Sequence, residues 1–370
     1  MAVRDLIIVG AGPSGLSAAI AARRHGLDYQ VIEQGVLTNS IFNFPPLMVF
    51  FTTPELLEIG GLPFVSPHDK PTRAEALNYY RRVVDTFDLQ ISFNETVLSI
   101  TRGRESTLEA EGERSRSSER EPSANSAGGG APAPGEMWGP ARSEDDDGFV
   151  LETRSAGGVR RARQARHVIF AIGYYDHPNR LNIPGEDLPH VHHYYREPHP
   201  YYRQRVVIVG GGNSAAEAAL ELYRAGARVT IVHRGPELKS TIKYWVRPDI
   251  ENRIKEGSIG AMFNSCLAEI KPTSVLTIDG QHIPADAVFL LTGYRADSDL
   301  MLRAGVELNE REAPVHDPVT FETNVPGIFV AGGAIAGVDT GTIFIENGRF
   351  HGETIVDAIV RRMPSVGEAR

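Results

Sequence analysis

The 370 residues carry a net charge of −9 and a single cysteine, Cys266. The acidic balance argues against nucleic acid as a main partner, and one thiol excludes internal disulfides, CxxC redox pairs and cysteine-built zinc clusters. With 41% hydrophobic and 23% charged residues the composition is that of a globular chain, long enough for two domains with their own cores.

The chain opens on the apolar run Leu6-Ile7-Ile8-Val9, followed at once by Gly10-Ala11-Gly12-Pro13-Ser14-Gly15 and an Ala-rich stretch. Strand, glycine turn and helix in that order form a dinucleotide fingerprint. The first glycine makes the turn, the second admits a pyrophosphate to the backbone, and the third lets helix and strand pack closely. The strand Tyr29–Ile32 then ends in Glu33, with Gln34 beside it, and an acid there accepts hydrogen bonds from ribose hydroxyls. The first strand starts too early for a signal peptide, and no stretch approaches the ~20 apolar residues of a membrane span, so the cytoplasm is the expected compartment.

Asn39, Ser40 and the apolar run Phe42 to Phe51 fit either substrate-pocket lining or core packing. An amphipathic helix is expected over Arg73 to Phe87 and a strand near Leu89 to Phe93. Strands at Glu95 to Thr101 and Phe149 to Arg154 flank residues 102–148, which are rich in Ser, Glu, Arg, Gly and Pro and almost empty of large aliphatics. Such a segment buries too little apolar surface to offset its ordering entropy and reads as a disordered insertion at a hairpin tip. The basic run Arg160 to Arg166 reads as a solvated turn and strand edge.

His167 to Gly173 is a buried strand ending in glycine, and Ala287 to Tyr294, with Gly293, is its near copy. Between Asp176 and Tyr202 lies a cluster of His and Tyr that suits a packed hinge better than a metal site. A second fingerprint follows: Val206-Val207-Ile208-Val209, then Gly210-Gly211-Gly212-Asn213-Ser214-Ala215, with Ala215 in place of the third glycine. Its next strand, Val229–Val232, runs into His233 and Arg234. A guanidinium pairs with a 2′-phosphate that an acid would repel. FAD is therefore assigned to the first site and NADPH to the second. Cys266 falls in an expected strand, Ala261 to Ile270, as a buried structural thiol. The strand Gly327 to Gly333 follows. Gly341, Thr342 and Ile343 then precede a closing helix, Ile343 to Val360, whose N-terminus faces the flavin in this reading.

The expected fold is α/β, with two Rossmann-like dinucleotide-binding domains. The FAD domain is discontinuous, 1–178 and 295–370, and the NADPH domain, 201–293, is inserted into it. The FAD site takes Gly10, Gly12, Pro13, Ser14, Gly15, Glu33, Gln34, Gly173, Gly332, Gly341, Thr342 and Ile343. The NADPH site takes Gly210, Gly212, Asn213, Ser214, Ala215, His233, Arg234 and Gly293, and no metal site is expected.

The stretches Gly173-Tyr174-Tyr175-Asp176-His177-Pro178-Asn179, Pro184 to Pro189 and Ile345 to Gly352 add a more specific signal. With them the sequence resembles the low-molecular-weight thioredoxin reductase group of flavoproteins and, more narrowly, the YpdA-type bacillithiol disulfide reductases. The resemblance implies a cytosolic, homodimeric, NADPH-dependent FAD enzyme that reduces bacillithiol disulfide. Two positions depart from it. Ser14 stands where that family commonly has a cysteine proposed as redox-active, and a hydroxyl forms neither a mixed disulfide nor a thiolate pair with flavin. Gly333 stands where the wider group has an aspartate contacting the ribityl chain, so backbone groups or a neighbour such as Asp339 take over. Three readings of the oxidative half stay open. They are a bound disulfide with Ser14 as the candidate catalytic residue, a ferredoxin or other redox protein, or no substrate at all in a flavin redox sensor.

Overall fold

The computed structural model describes residues 3–103 and 148–363, so the expected insertion lies, apart from its end residues, outside the described residues. The chain divides into two compact units. The first comprises Met1–Asn43, Val49–Tyr174 and Ala296–Arg370, and the second Phe44–Met48 and Tyr175–Arg295.

The first unit begins with β1 (Arg4–Val9), α1 (Pro13–Arg24), β2 (Tyr29–Ile32), α2 (Asn39–Asn43), α3 (Arg73–Phe87), β3 (Ile91–Ser92), β4 (Glu95–Arg102), β5 (Phe149–Ser155) and β6 (Arg160–Phe170). β1 is buried from Leu6 to Val9 because it lies between two parallel neighbours, with Ile7 opposite Gln30 of β2 and Val168 of β6. The sheet runs β3-β2-β1-β6-β5-β4. α3 starts on a capping box, in which Glu75 N–H donates to Thr72 Oγ1 while Glu75 accepts the Thr72 N–H at 2.7 Å.

The basic run is solvated as expected at Arg160, Arg161 and Arg166, while Arg163 turns inward. The run forms the first half of β6, paired to β5 from Phe149↔Ala165 to Arg154↔Arg160. Arg163 donates twice at 2.8 Å to Glu95, which is 3% exposed. Burial works against that carboxylate's charge, but hydrogen bonds from Arg163 and Thr153 outweigh it and hold the pKa below the usual range.

The second unit contains β7 (Val191–His192), β8 (Arg205–Val209), α4 (Asn213–Arg224), β9 (Arg228–Val232), α5 (Arg247–Lys255), β10 (Gly260–Met262), β11 (Leu267–Lys271), β12 (Ser274–Thr277), β13 (His282–Pro284) and β14 (Ala287–Leu290). A parallel sheet runs β10-β9-β8-β14-β7, and β11-β12-β13 form a separate antiparallel sheet. Val206 and Ile208 of β8 pack with α4 on one face, Val207 and Val209 with Val275 and Ile270 on the other. Burial on both faces explains the unbroken apolar run. Cys266 lies between β10 and β11 rather than in one strand, and is half-buried.

The chain returns to the first unit with α6 (Ser298–Arg303), β15 (Ile328–Val330), α7 (Ile345–Gly348) and α8 (His351–Arg362). β15 adds parallel to β6. The single closing helix expected from Ile343 to Val360 is broken at Arg349 and Phe350. The break brings Gly348 against Gly332, where a Cβ would stand 3.1 Å from the Gly332 Cα, and lets Arg349 donate to the Glu55 and Glu58 carbonyls at 2.7 and 2.6 Å. Among the described residues no helix is long and apolar enough to cross a membrane.

Candidate cofactor-binding sites

Between β1 and α1, Gly10 holds a φ of +109°, and a Cβ there would overlap the Ala171 carbonyl. A Cβ on Gly15 would overlap the Gly10 carbonyl. The packing of the protein itself requires both. Gly12 differs: no heavy atom lies within 4 Å of where its Cβ would stand. It caps α1 without a side-chain acceptor for the first-turn amides, and Pro13 opens the helix. A middle glycine facing open space beside amides in need of an acceptor fits a pyrophosphate.

Glu33 is 5% exposed and clamps this turn. Its Oε2 accepts the Ala11 N–H at 2.7 Å and its Oε1 the Gly35 N–H at 2.8 Å. Gln34, next along, is exposed.

The ends of β6 and β15 lie beside the same turn. Ser14 packs on Gly332, whose Cβ would stand 2.8 Å from the Ser14 Cβ. The Gly332 N–H donates to His351 Nδ1 at 3.1 Å. Burial, with His316 nearby, pushes His351 down to about 4, so the ring is neutral and its proton sits on Nε2. Gly173, at φ +65°, would place a Cβ 4.0 Å from Ser40 Oγ.

Gly341 and Thr342 are exposed and Ile343 half-buried. They lead into a four-residue helix rather than a long one. Its entry is held by Asn347, which accepts the Phe344 N–H at 2.8 Å and donates to the Thr342 carbonyl at 2.9 Å. No long-helix N-terminus follows them, because the chain turns again at Arg349. Asp339 is exposed and lies 3.8 Å from Arg311.

The second turn repeats the first. A Cβ on Gly210 would overlap the Leu291 carbonyl, as Gly10 would overlap that of Ala171, and Ala215 lies fully buried beside it. Gly212 caps α4 without a side-chain acceptor, and its Cβ would meet only Lys239 Cδ, at 3.9 Å. Ser214 is exposed. Asn213 turns its side chain to the following loop, donating to the Thr241 carbonyl at 3.1 Å and accepting the Lys243 N–H at 2.9 Å.

The expected pair His233 and Arg234 separates. His233 is 8% exposed, with Nε2 2.5 Å from where a Gly211 Cβ would stand and 2.9 Å from a Gly235 Cβ. Burial, then the charges of Lys239 and Arg234, lower its pKa, so it packs the turn as a neutral ring. Arg234 is exposed. Gly293 lies two residues past Leu291, whose carbonyl packs on Gly210. The Gly293 carbonyl accepts the Asn179 N–H at 2.9 Å, in a segment where Tyr175, Tyr194 and Tyr294 form an aromatic cluster.

Lys239 escaped the sequence reading. Its N–H donates to the Gly211 carbonyl at 2.8 Å, which sets its side chain beside Gly212. The available signal was a lone cation in the loop after Arg234. Among the described residues no group of three or more His, Cys, Asp or Glu is arranged to hold a metal ion.

The sequence pattern of the family described as pyridine nucleotide-disulphide oxidoreductase matches residues 7–115 and 142–332, passing over part of the insertion. The bacilliredoxin reductase Bdr of Bacillus subtilis (strain 168) is 38% identical over 361 residues, 96% of this chain and 97% of that protein. A solved structure of the bacillithiol disulfide reductase Bdr (YpdA) from Bacillus cereus is 35% identical, covering 98% of this chain and all of that one, with a TM-score of 0.84. A ferredoxin–NADP reductase of Ignicoccus hospitalis is 27% identical over 340 residues, 89% of this chain and 90% of that protein.

Proposed function

The chain belongs to the pyridine nucleotide-disulphide oxidoreductase family, in its Bdr (YpdA) branch, and on that footing we propose that it passes electrons from NADPH through FAD to a low-molecular-weight disulfide, bacillithiol disulfide being the substrate. The family implies a flavin and a pyridine nucleotide. One observation supports two such sites in this chain: each unit holds a glycine turn whose middle glycine is uncrowded by backbone, a Gly12 Cβ meeting nothing within 4 Å and a Gly212 Cβ only Lys239 Cδ, at 3.9 Å. When bound, the two cofactors supply the hydride chemistry.

The chain's own residues bind and orient. The α1 amides hold the FAD pyrophosphate, while Glu33 keeps the turn closed. The α4 amides hold the NADPH pyrophosphate, and Arg234 with Lys239 supplies cations for its 2′-phosphate. The overall reaction balances as NADPH, a proton and one disulfide giving NADP⁺ and two thiols. No enzyme–substrate disulfide forms at the position of the family cysteine, because Ser14 replaces the thiol. Ser14 is left as the polar group of that position. We place the protein in the cytoplasm as a homodimer, a state that light scattering on the purified protein checks.

The likeness to a ferredoxin–NADP reductase favours a second reading, in which the acceptor is a redox protein. Anaerobic reduction separates the two. NADPH should bleach the flavin absorbance, and oxidised bacillithiol should restore it. Bleaching without recovery by the disulfide, but with recovery by a ferredoxin, would replace the first reading by the second. No bleaching at all would leave only a flavin-binding sensor.

A further inference from the structure

Tyr174 lies just beyond β6, at the carboxyl edge of the parallel strands β1, β6 and β15, where open α/β sheets bind their ligands. Its ring packs on Gly333: Cδ1 and Cε1 lie 2.7 and 2.9 Å from where a Gly333 Cβ would stand. Gly333 is not among the positive-φ residues, so its backbone does not need glycine. What excludes a side chain there is Tyr174.

The neighbouring residue extends the same wall. Gly332 carries Ser14 against it, and a Cβ on Gly348 would stand 3.2 Å from Ser14 Oγ. Ser14 is two residues past Gly12, the position that faces open space. Tyr174, Gly333, Gly332 and Ser14 thus follow one another by contact within the first unit, and Ser14 carries the chain back to the Gly12 turn.

Several buried and half-buried tyrosines give their hydroxyls to a protein acceptor. Tyr79 donates to the Leu62 carbonyl at 2.8 Å, Tyr80 to Leu57 at 3.0 Å, Tyr194 to Tyr175 at 2.9 Å and Tyr195 to Glu221 at 2.8 Å. Tyr174, like the half-buried Tyr201, has no hydrogen-bond partner among the described residues, and its oxygen is not sealed away, so a half-buried ring here leaves its hydroxyl open to a ligand. Burial, and then the charge of Glu346, raise its pKa, which keeps the proton on the oxygen and the group a donor.

We propose that Tyr174 is a binding residue for the flavin nucleotide: its ring occupies the space over Gly333, and its hydroxyl donates to an oxygen of the cofactor's sugar–phosphate chain. The place for which Asp339 was expected belongs to Tyr174, since Asp339 is exposed and turned to Arg311. The proposal rests on the reading that the first unit binds FAD.

Wild type, Tyr174→Phe, Tyr174→Ala and Gly333→Ala are stripped of flavin and titrated with FAD, following the quenching of flavin fluorescence, and the apoproteins are melted in parallel. One hydrogen bond predicts about tenfold weaker binding for Tyr174→Phe with an unchanged apoprotein Tm. Tyr174→Ala should bind more weakly still. Gly333→Ala should weaken binding by displacing the ring, and should add no further loss in the Tyr174→Ala background. FAD binding by Tyr174→Phe equal to that of wild type would overturn the proposal while leaving the cofactor assignment standing. A wild type that takes up no FAD would overturn both.

Discussion

Glu33 Oε2 accepts the N–H of Ala11 at 2.7 Å, across 22 residues of chain, so the acid at the end of β2 closes the glycine turn that follows β1. Its other oxygen takes the Gly35 N–H at 2.8 Å. Replacing Glu33 by Ala leaves two amides without this acceptor in a site that is 5% exposed. Urea unfolding should show a loss of about 3 kcal/mol, together with loss of bound FAD. A variant as stable as wild type would mean that the clamp contributes nothing.

Gly12 and Gly15 make opposite predictions although they share one motif. Gly15→Ala drives a Cβ into the Gly10 carbonyl and should destabilise the apoprotein by ~3 kcal/mol or more. Gly12→Ala meets open space and should change apoprotein stability by less than ~0.5 kcal/mol. Its effect should instead appear as weaker FAD binding in calorimetry.

Arg234 and Lys239 should decide between the two nicotinamide nucleotides. Each single Ala variant should raise KM for NADPH roughly tenfold to a hundredfold, the worth of one charge-assisted hydrogen bond. KM for NADH should stay unchanged, because that cofactor lacks the 2′-phosphate. His233→Asn should act differently, lowering stability through the packing against Gly211 and Gly235.

Glu217, on α4, is pushed up to about 7 from 4.5 by burial and then by the charge of Glu221, against the pull of Lys243. Between 4.5 and about 7 the folded state keeps a proton that the unfolded state has released, so stability falls as pH rises through that window. Glu217→Gln should remove this contribution to the pH profile. It should be more stable than wild type by about 3 kcal/mol above the window and equal to it below. Urea melts across the range measure this.

His351 imposes the reverse slope. Its pKa falls to about 4 from 6.5, so below 6.5 the unfolded state takes up a proton that the folded state refuses, and stability falls as pH drops toward 4. His351→Gln should abolish that loss. The two slopes oppose each other over nearly the same range, so each single variant should show a steeper pH profile than wild type.

Local signals were the legible ones. The bounds Arg73–Phe87 of α3 follow from a capping box and an apolar stripe, both contained within a few turns. The turns at Gly10 and Gly210 were legible because strand, glycines and helix adjoin in sequence. Arg163 was not, because its partner Glu95 stands 68 residues away, and a run of arginines beside an insertion looks solvated until that partner appears. The Ile343–Val360 helix was overextended because its periodicity continues through Arg349, whose carbonyl partners lie in another segment.

By itself the sequence determined the α/β class and the two glycine turns, and the resemblance it carries determined the family, since each rests on residues adjacent along the chain. The tertiary structure decided which of the named residues face open space. Gly12 and Gly15 look alike in the motif and differ only in what stands opposite them. His233 and Arg234 are neighbours of which one packs inward and one stays exposed. Tyr174 acquires its place only through Gly333, 159 residues later. Burial and vacant space arise from segments brought together by folding, and no local pattern encodes what will lie across from a side chain.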